Sequence, residues 1–158
     1  MKIINIKNTT DFSGTIIIPT FEVSNENVSY NDTVVTFNLF SGKKDTHYIT
    51  EKENSIYLFI GLGKSQPYST DFSSRWKSPD YKTLKTIFRR ISAKQTDHLN
   101  NKVALVIPES FSDENVEASI SGLYLGTYNL GHFKKEQKSH PFLNTDFMCW
   151  ILKTAATL

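Results

Sequence analysis

A single cysteine, Cys149, in 158 residues excludes an intramolecular disulfide, and with it the small cross-linked scaffold of secreted proteins. That scarcity favours a reducing compartment. Long apolar runs are also missing. No stretch approaches the ~20 apolar residues that a bilayer span needs. The opening Met1-Lys2-Ile3-Ile4-Asn5-Ile6-Lys7 is too short and too polar for a signal peptide, and no cleavage pattern follows it. The expected localisation is cytoplasmic, without membrane partners. Charge of one sign is scarce: 18 Lys and Arg against 16 Asp and Glu leave a formal net charge of +2. That is too little to call for nucleic acid as a partner. The tightest basic clusters are the pairs Lys43-Lys44, Arg89-Arg90 and Lys134-Lys135. There is no internal repeat and no low-complexity segment. What is present is ordinary for one globular domain: 39% hydrophobic, 22% charged and 13% aromatic residues, with Phe the largest aromatic contributor.

Catalytic patterns are missing as well. A metal site needs carboxylates, Lys or His converging on one point. The histidines here, His47, His98, His132 and His140, lie far apart, and none pairs at i, i+4 on a helix. Each reads as a surface or loop residue, so no metal or other cofactor is expected in this chain. A nucleophilic cysteine needs a depressed pKa and a base, whereas Cys149 sits in an apolar run beside Trp150 and reads as a core residue. No Gly-x-Ser-x-Gly elbow occurs, and Ser121-Gly122 fits close helix packing.

The first strand expected is Lys2 to Lys7. Thr15 to Phe21 follows, where the continuous Ile16-Ile17-Ile18 run suggests a strand covered on both faces. Pro19 within it implies an edge, a bulge or the strand's end. Val34 to Phe40 alternates loosely, Ser41 to Asp45 reads as a turn, and Thr46 to Thr50 as the returning strand of a hairpin. Ser55 to Ile60 is a buried strand running into Gly61-Leu62-Gly63-Lys64. Ser78-Pro79-Asp80 is a helix start, with Leu84, Ile87, Phe88 and Ile91 on one apolar face. Asp97 to Asn101 reads as a loop, and Lys102 to Ile107 as a buried strand ended by Pro108. Ser112-Asp113-Glu114 opens a second helix whose buried stripe is expected to be Val116, Ile120, Leu123 and Tyr124. It runs to about Tyr128, with Gly131 able to end it. The order strand, helix, strand, helix after residue 55 signals parallel strands with crossover helices. The expected fold is α/β, a three-layer α/β/α sandwich with a mixed, largely parallel sheet. Asn144 to Leu158 fills both alternating sets and reads as a strand that either packs back on the domain or leads into a further one.

Three segments carry a family resemblance. Tyr57-Leu58-Phe59-Ile60-Gly61-Leu62-Gly63-Lys64 resembles the strand and loop of the N-terminal domain of leucyl (cytosol) aminopeptidases. Phe40-Ser41-Gly42-Lys43-Lys44-Asp45-Thr46 resembles that family's turn before the strand. Ser121-Gly122-Leu123-Tyr124-Leu125-Gly126-Thr127-Tyr128, followed by Phe133-Lys134, is similar to the last helix of the family's N-domain. The matches keep the family's order across roughly residues 14 to 135. The resemblance implies a macro-domain-like module spanning 1–135, with 136–158 a linker or the start of a catalytic domain. In the family that domain holds two divalent metal ions, zinc or manganese, and removes N-terminal residues from peptides. The family generally assembles as hexamers, and its N-terminal module serves assembly and substrate access; in some members it takes part in DNA binding. The implied partners are therefore the chain's own catalytic domain, further copies of itself and, for the parent, peptide substrates. This chain departs from the pattern at Ser121, where the family usually has an acid, and in Val23 to Phe37, which is poor in helix formers where the family tends to place a helix. Asn144-Thr145-Asp146 matches the start of the metal-binding signature, but Phe147-Met148-Cys149-Trp150 replaces the required Ala, Glu, Gly and Arg, so no catalytic residue carries over.

The one candidate ligand site is Gly61, Gly63 and Lys64. Glycines after a parallel strand let backbone N–H groups approach a phosphate, and Lys64 could supply charge. The segment is too short for a Walker A loop and lacks the third glycine of a dinucleotide fingerprint. Macro domains bind ADP-ribose at loops of this general kind, so a free-standing module for ADP-ribose or a related nucleotide is the alternative function, and a scaffold that keeps only the assembly surface is another. The plainer reading is a tight turn. Tyr68, Phe72, Trp76 and Tyr81 could stack on a base, line a subunit interface or, most simply, cap the edge of the core.

Overall fold

Two uninterrupted β-branched and aliphatic runs, Ile16-Ile17-Ile18 and Val103-Ala104-Leu105-Val106-Ile107, form the middle of the sheet and are buried along their whole length. Burial of successive side chains means that both faces are covered, as parallel sheets require. The computed structural model describes residues 2–5, 12–65, 81–99, 102–127 and 146–151. Its strands are β1 (Lys2–Asn5), β2 (Gly14–Phe21), β3 (Val28–Tyr30), β4 (Thr33–Val35), β5 (His47–Lys52), β6 (Ser55–Gly63), β7 (Val103–Ile107) and β8 (Asp146–Ile151). Its helices are α1 (Tyr81–Lys94) and α2 (Asp113–Gly126), with a 3-10 turn at Thr96–His98 where a loop is expected. The main sheet has the order β1-β8-β7-β2-β6-β5. Every neighbouring pair in it is parallel except β5 with β6. This is the α/β fold with a mixed, largely parallel sheet that the element order predicts.

β8 lies between β1 and β7, with Ile3 opposite Phe147 and Leu105 opposite Cys149. The closing apolar segment therefore packs back into the sheet. The division at residue 135 does not separate two sheets, because β8 is needed to join β1 to the rest.

Pro19 is tolerated in a central strand for a local reason. It pairs with Ile60 on the β6 side, while pairing to β7 stops at Ile17 and Leu105. The register also shifts between Thr20 and Phe21, the bulge that a proline near a strand end invites.

α1 and α2 cover one face. Leu84, Ile87, Phe88 and Ile91 of α1 pack with Ile17, Leu58, Ile60, Leu105 and Leu123. Removing such side chains from water stabilises by about 1.5–3 kcal/mol each, more than the intrinsic propensity of a 14-residue helix supplies. Ser78-Pro79-Asp80, the expected start of α1, lies outside the described residues. α2 opens as expected: the Ser112 hydroxyl accepts the Asn115 N–H at 3.3 Å, and the Asn115 side-chain oxygen accepts the Ser112 N–H at 3.0 Å.

The expected stripe of α2 is corrected. Leu123 is buried and Val116 and Ile120 are partly buried against the core, but Tyr124 is 51% exposed. The other buried residues of α2 are Asn115, Ala118, Ser119, Gly122 and Gly126, of which Gly122 and Gly126 lie against α1. A methyl group on Gly122 would sit 2.5 Å from the Lys85 carbonyl oxygen and 2.8 Å from the Phe88 Cβ. Small residues are used here because the helix backbones nearly touch. α2 ends at Gly126, capped by Thr127; Tyr128 and Gly131 lie outside the described residues.

The other face is covered by Val28, Tyr30, Val35 and Phe40, packed on Ile16, Ile18, Phe59 and Val106. The expected hairpin of Val34–Phe40 with Thr46–Thr50 is also corrected. β4 pairs with β3 through the two-residue turn Asn31-Asp32, Asn31 taking a φ of 49°. β5 pairs with β6 through Glu53-Asn54. Both closures are the shortest available, so they cost the least loop entropy. After Val35 the chain coils, Phe40 N–H bonding Thr36 O at 3.2 Å. That swings the Phe40 ring onto the sheet, 6.0 Å from the Phe59 ring. The helix-poor stretch Val23 to Phe37 thus forms a hairpin layer.

Candidate functional site

In open α/β sheets, ligand sites form beyond the carboxyl ends of the parallel strands. Here those ends are Phe21 of β2, Gly63 of β6 and Ile107 of β7. The rings of Phe21 and Phe111 meet edge to face at 6.4 Å across the β2–β7 end.

At the β6 end, the expected loop Gly61-Leu62-Gly63-Lys64 is corrected: Gly61, Leu62 and Gly63 continue the strand. Their surroundings are the segment 41–46. The Gly61 N–H donates to Thr46 O at 2.8 Å, and the Gly63 N–H donates to Gly42 O at 3.0 Å. Gly63 O accepts the Glu22 N–H at 2.9 Å, and Ser41 O accepts the Val23 N–H at 2.9 Å. The donors that a phosphate would need from Gly61 and Gly63 are already committed to protein oxygens. Lys64 is exposed.

The glycines are demanded by proximity. A Cβ on Gly61 would lie 2.5 Å from the Thr46 hydroxyl oxygen and 2.8 Å from the Lys43 carbonyl carbon. Gly63 has a φ of +81°, a conformation that costs other residues roughly 1–2 kcal/mol. The two segments Phe40–Thr46 and Tyr57–Lys64, read separately in the sequence, are thus one interlocked unit. The signal that could have joined them is the pairing of Gly42 with Gly63, each at positive φ.

Segment 41–47 is also tied to α1 and the residue that follows it. Arg90 donates to the Asp45 carboxylate at 2.9 Å, and His47 Nε2 lies 2.9 Å from Gln95 Nε2. Beside it opens a shallow cavity of about 330 Å³ lined by Phe37, Leu39, Phe40, Lys43, Thr46 and His47, among others. The sequence reading missed this cavity, because its apolar wall comes from the coil after Val35 that looks like a strand.

His98 closes the 3-10 turn, and its carbonyl accepts the Thr15 hydroxyl. Tyr81 begins α1; its hydroxyl bonds Glu117 at 3.3 Å and its ring lies 5.4 Å from the Lys85 ammonium. His132, His140, Tyr68, Phe72 and Trp76 lie outside the described residues, as does the side chain of Cys149. Among the described residues, no three His, Cys, Asp or Glu come together in a way that could hold a metal ion. Likewise, no described helix is long and apolar enough to cross a membrane. The arrangement offers a rigid, internally bonded edge with cationic side chains on its rim.

No family model matches the sequence, and no curated protein matches it. Among solved structures, the chain is similar to a mutant tomato leucine aminopeptidase, with a TM-score of 0.61 at 13% sequence identity. The match covers 96% of this chain and 32% of that one, so the chain spans about a third of its neighbour's length.

Proposed function

We propose that this chain is a non-catalytic N-terminal module of a leucyl-aminopeptidase-like enzyme, serving assembly and substrate positioning. The observation that carries the reading is the shared fold over 96% of the chain. The interlock of Gly42–Thr46 with Gly61–Gly63 supports it, because two of the three segments that resemble the family are brought into contact by the fold. On this reading, peptide hydrolysis belongs to a domain beyond this chain, where two divalent metal ions, zinc or manganese, activate water. The described residues do not supply the donor set of such a centre. The module's partners are that domain and further copies of itself, in a cytoplasmic enzyme acting on peptides.

The test is the size of the native polypeptide carrying this segment, by immunoblot of source-cell lysate. A band far above 18.1 kDa is the expected result. A band at that size overturns the reading and leaves the free-standing alternatives. Those separate by titration with ADP-ribose: a nucleotide module binds saturably and is weakened by Gly63→Glu, whereas a scaffold does not bind. The commitment of the Gly61 and Gly63 N–H groups to Thr46 and Gly42 weighs against the nucleotide module.

A further inference from the structure

The chain's near-neutral charge conceals a separation. α1 carries five basic residues, Lys82, Lys85, Arg89, Arg90 and Lys94, and no acid. α2 carries Asp113, Glu114 and Glu117 and no base. The two helices lie side by side on the same face of the sheet. They also run parallel: Tyr81 meets Glu117, Lys85 and Phe88 meet Gly122, and Arg89 and Ser92 meet Gly126. Helical spacing puts Lys82, Arg89 and Arg90 on the outer side of α1, and all three are exposed. It puts Glu114, Glu117, Tyr124 and Leu125 on the outer side of α2, also exposed. The layer's outer surface is therefore a positive strip beside a negative one, the latter ending in two large apolar side chains that are 51% and 39% exposed.

Such a surface is complementary to itself in one isologous arrangement only. A twofold axis across the helices would lay α1 on α1 and α2 on α2, like charge on like. A twofold axis along the helices lays α1 of one copy on α2 of the other, parallel and at the same height. Lys82 then stands level with Glu117 of the second copy, with the half-buried Lys85 about one turn above and Glu114 about one turn below. Arg89 faces Tyr124 and Leu125, where its guanidinium can lie on the tyrosine ring, while Arg90 stays with Asp45 at the flank of α1.

We propose that the α1–α2 face is a self-association surface in which a second copy docks α2 on α1 about a twofold axis parallel to the helices. The inference rests on the assembly part of the reading above and names the surface. Two 14-residue helices present about 20 Å by 20 Å. That is on the order of 800 Å² for both copies, below a standard stable interface, so the dimer is transient and in the micromolar range or weaker.

The test is sedimentation velocity of the folded chain from about 5 to 200 μM, at low salt and with about 0.5 M NaCl. Wild type is expected to show concentration-dependent dimer that salt weakens at least tenfold. K82E/K85E reverses α1, and E114K/E117K reverses α2. Each alone sets like charges face to face and is expected to be monomeric, with far-UV circular dichroism confirming that it folds. Their equimolar mixture restores both facing pairs and is expected to form a heterodimer. Self-association that neither reversal disturbs, or a mixture that stays monomeric, overturns the proposed surface. So does a wild-type chain that is monomeric throughout. None of these results touches the native size of the polypeptide, which decides the aminopeptidase reading separately.

Discussion

Replacing Gly61 with alanine tests the interlock at the carboxyl end of β6. The new methyl carbon would lie 2.5 Å from the Thr46 hydroxyl oxygen and 2.8 Å from the Lys43 carbonyl carbon, with the Lys43 oxygen closer still. Carbon–oxygen contacts settle near 3.3 Å, so segment 42–46 must retreat by roughly 1 Å. The Gly61 N–H to Thr46 O and Gly63 N–H to Gly42 O bonds, at 2.8 and 3.0 Å, then pass beyond bonding distance. Each such bond contributes a net ~1 kcal/mol. The exposed Arg90–Asp45 pair that moves with the segment adds less than about 1 kcal/mol. Stiffening of the unfolded chain by alanine offsets about 0.4–1 kcal/mol of this. The net loss is about 2 kcal/mol, and a domain of this size loses about 2–4 °C in Tm per kcal/mol. A drop of about 4–8 °C in thermal unfolding followed by circular dichroism is expected. Gly63→Ala is the control: its methyl would meet only Lys44, 3.1 Å from its Cβ and 3.7 Å from its backbone, so its cost of about 1–2 kcal/mol comes from the positive φ. An unchanged Tm for Gly61→Ala, or a loss smaller than that of Gly63→Ala, refutes the account of why glycine is there.

Ser112→Ala removes the hydroxyl that caps α2 and is expected to cost about 1 kcal/mol in urea unfolding, with Ser112→Asp restoring most of it. Gly122→Ala gains about 1 kcal/mol in helix propensity but drives its methyl to 2.5 Å from the Lys85 carbonyl. Overpacking against backbone costs about 1–3 kcal/mol or more, so a net fall in Tm is expected, while a rise would mean the helices are further apart. Glu53 holds a φ of 54° in the β5–β6 turn, and Glu53→Gly is expected to raise stability by up to about 1 kcal/mol. Arg90→Ala breaks a pair whose side chains are 56% and 37% exposed. It is expected to cost under about 1 kcal/mol, an effect that vanishes in 1 M salt.

Elements defined by local pattern were legible in the chain. The buried runs of β2, β6 and β7, the apolar face of α1, the Ser112 cap and the parallel order of strands after residue 55 all follow from periodicity and end signals within short windows. The resemblance segments were legible too, though as separate pieces. Contacts between distant residues were not. Val34 to Phe40 alternates like a strand, yet beyond Val35 it coils because its hydrogen bonds go to Thr36 and Asn27, leaving β5 to pair with β6. The stripe of α2 was misplaced because hydrophobicity marks Tyr124 as inward, whereas the neighbouring helix demands small side chains at Gly122 and Gly126.

The candidate site shows the same division. Sequence alone settled that glycines cluster at the end of a buried strand, because glycine is what a chain uses where a side chain cannot fit. Only the tertiary structure decided what they fit against. Segment 41–46 returns to β6 from about twenty residues away and occupies the donors that an anion would have used. The charge separation between α1 and α2 follows equally from both levels. The sequence set five bases on one helix and three acids on the next, and the packing of both helices on one face of the sheet laid them side by side.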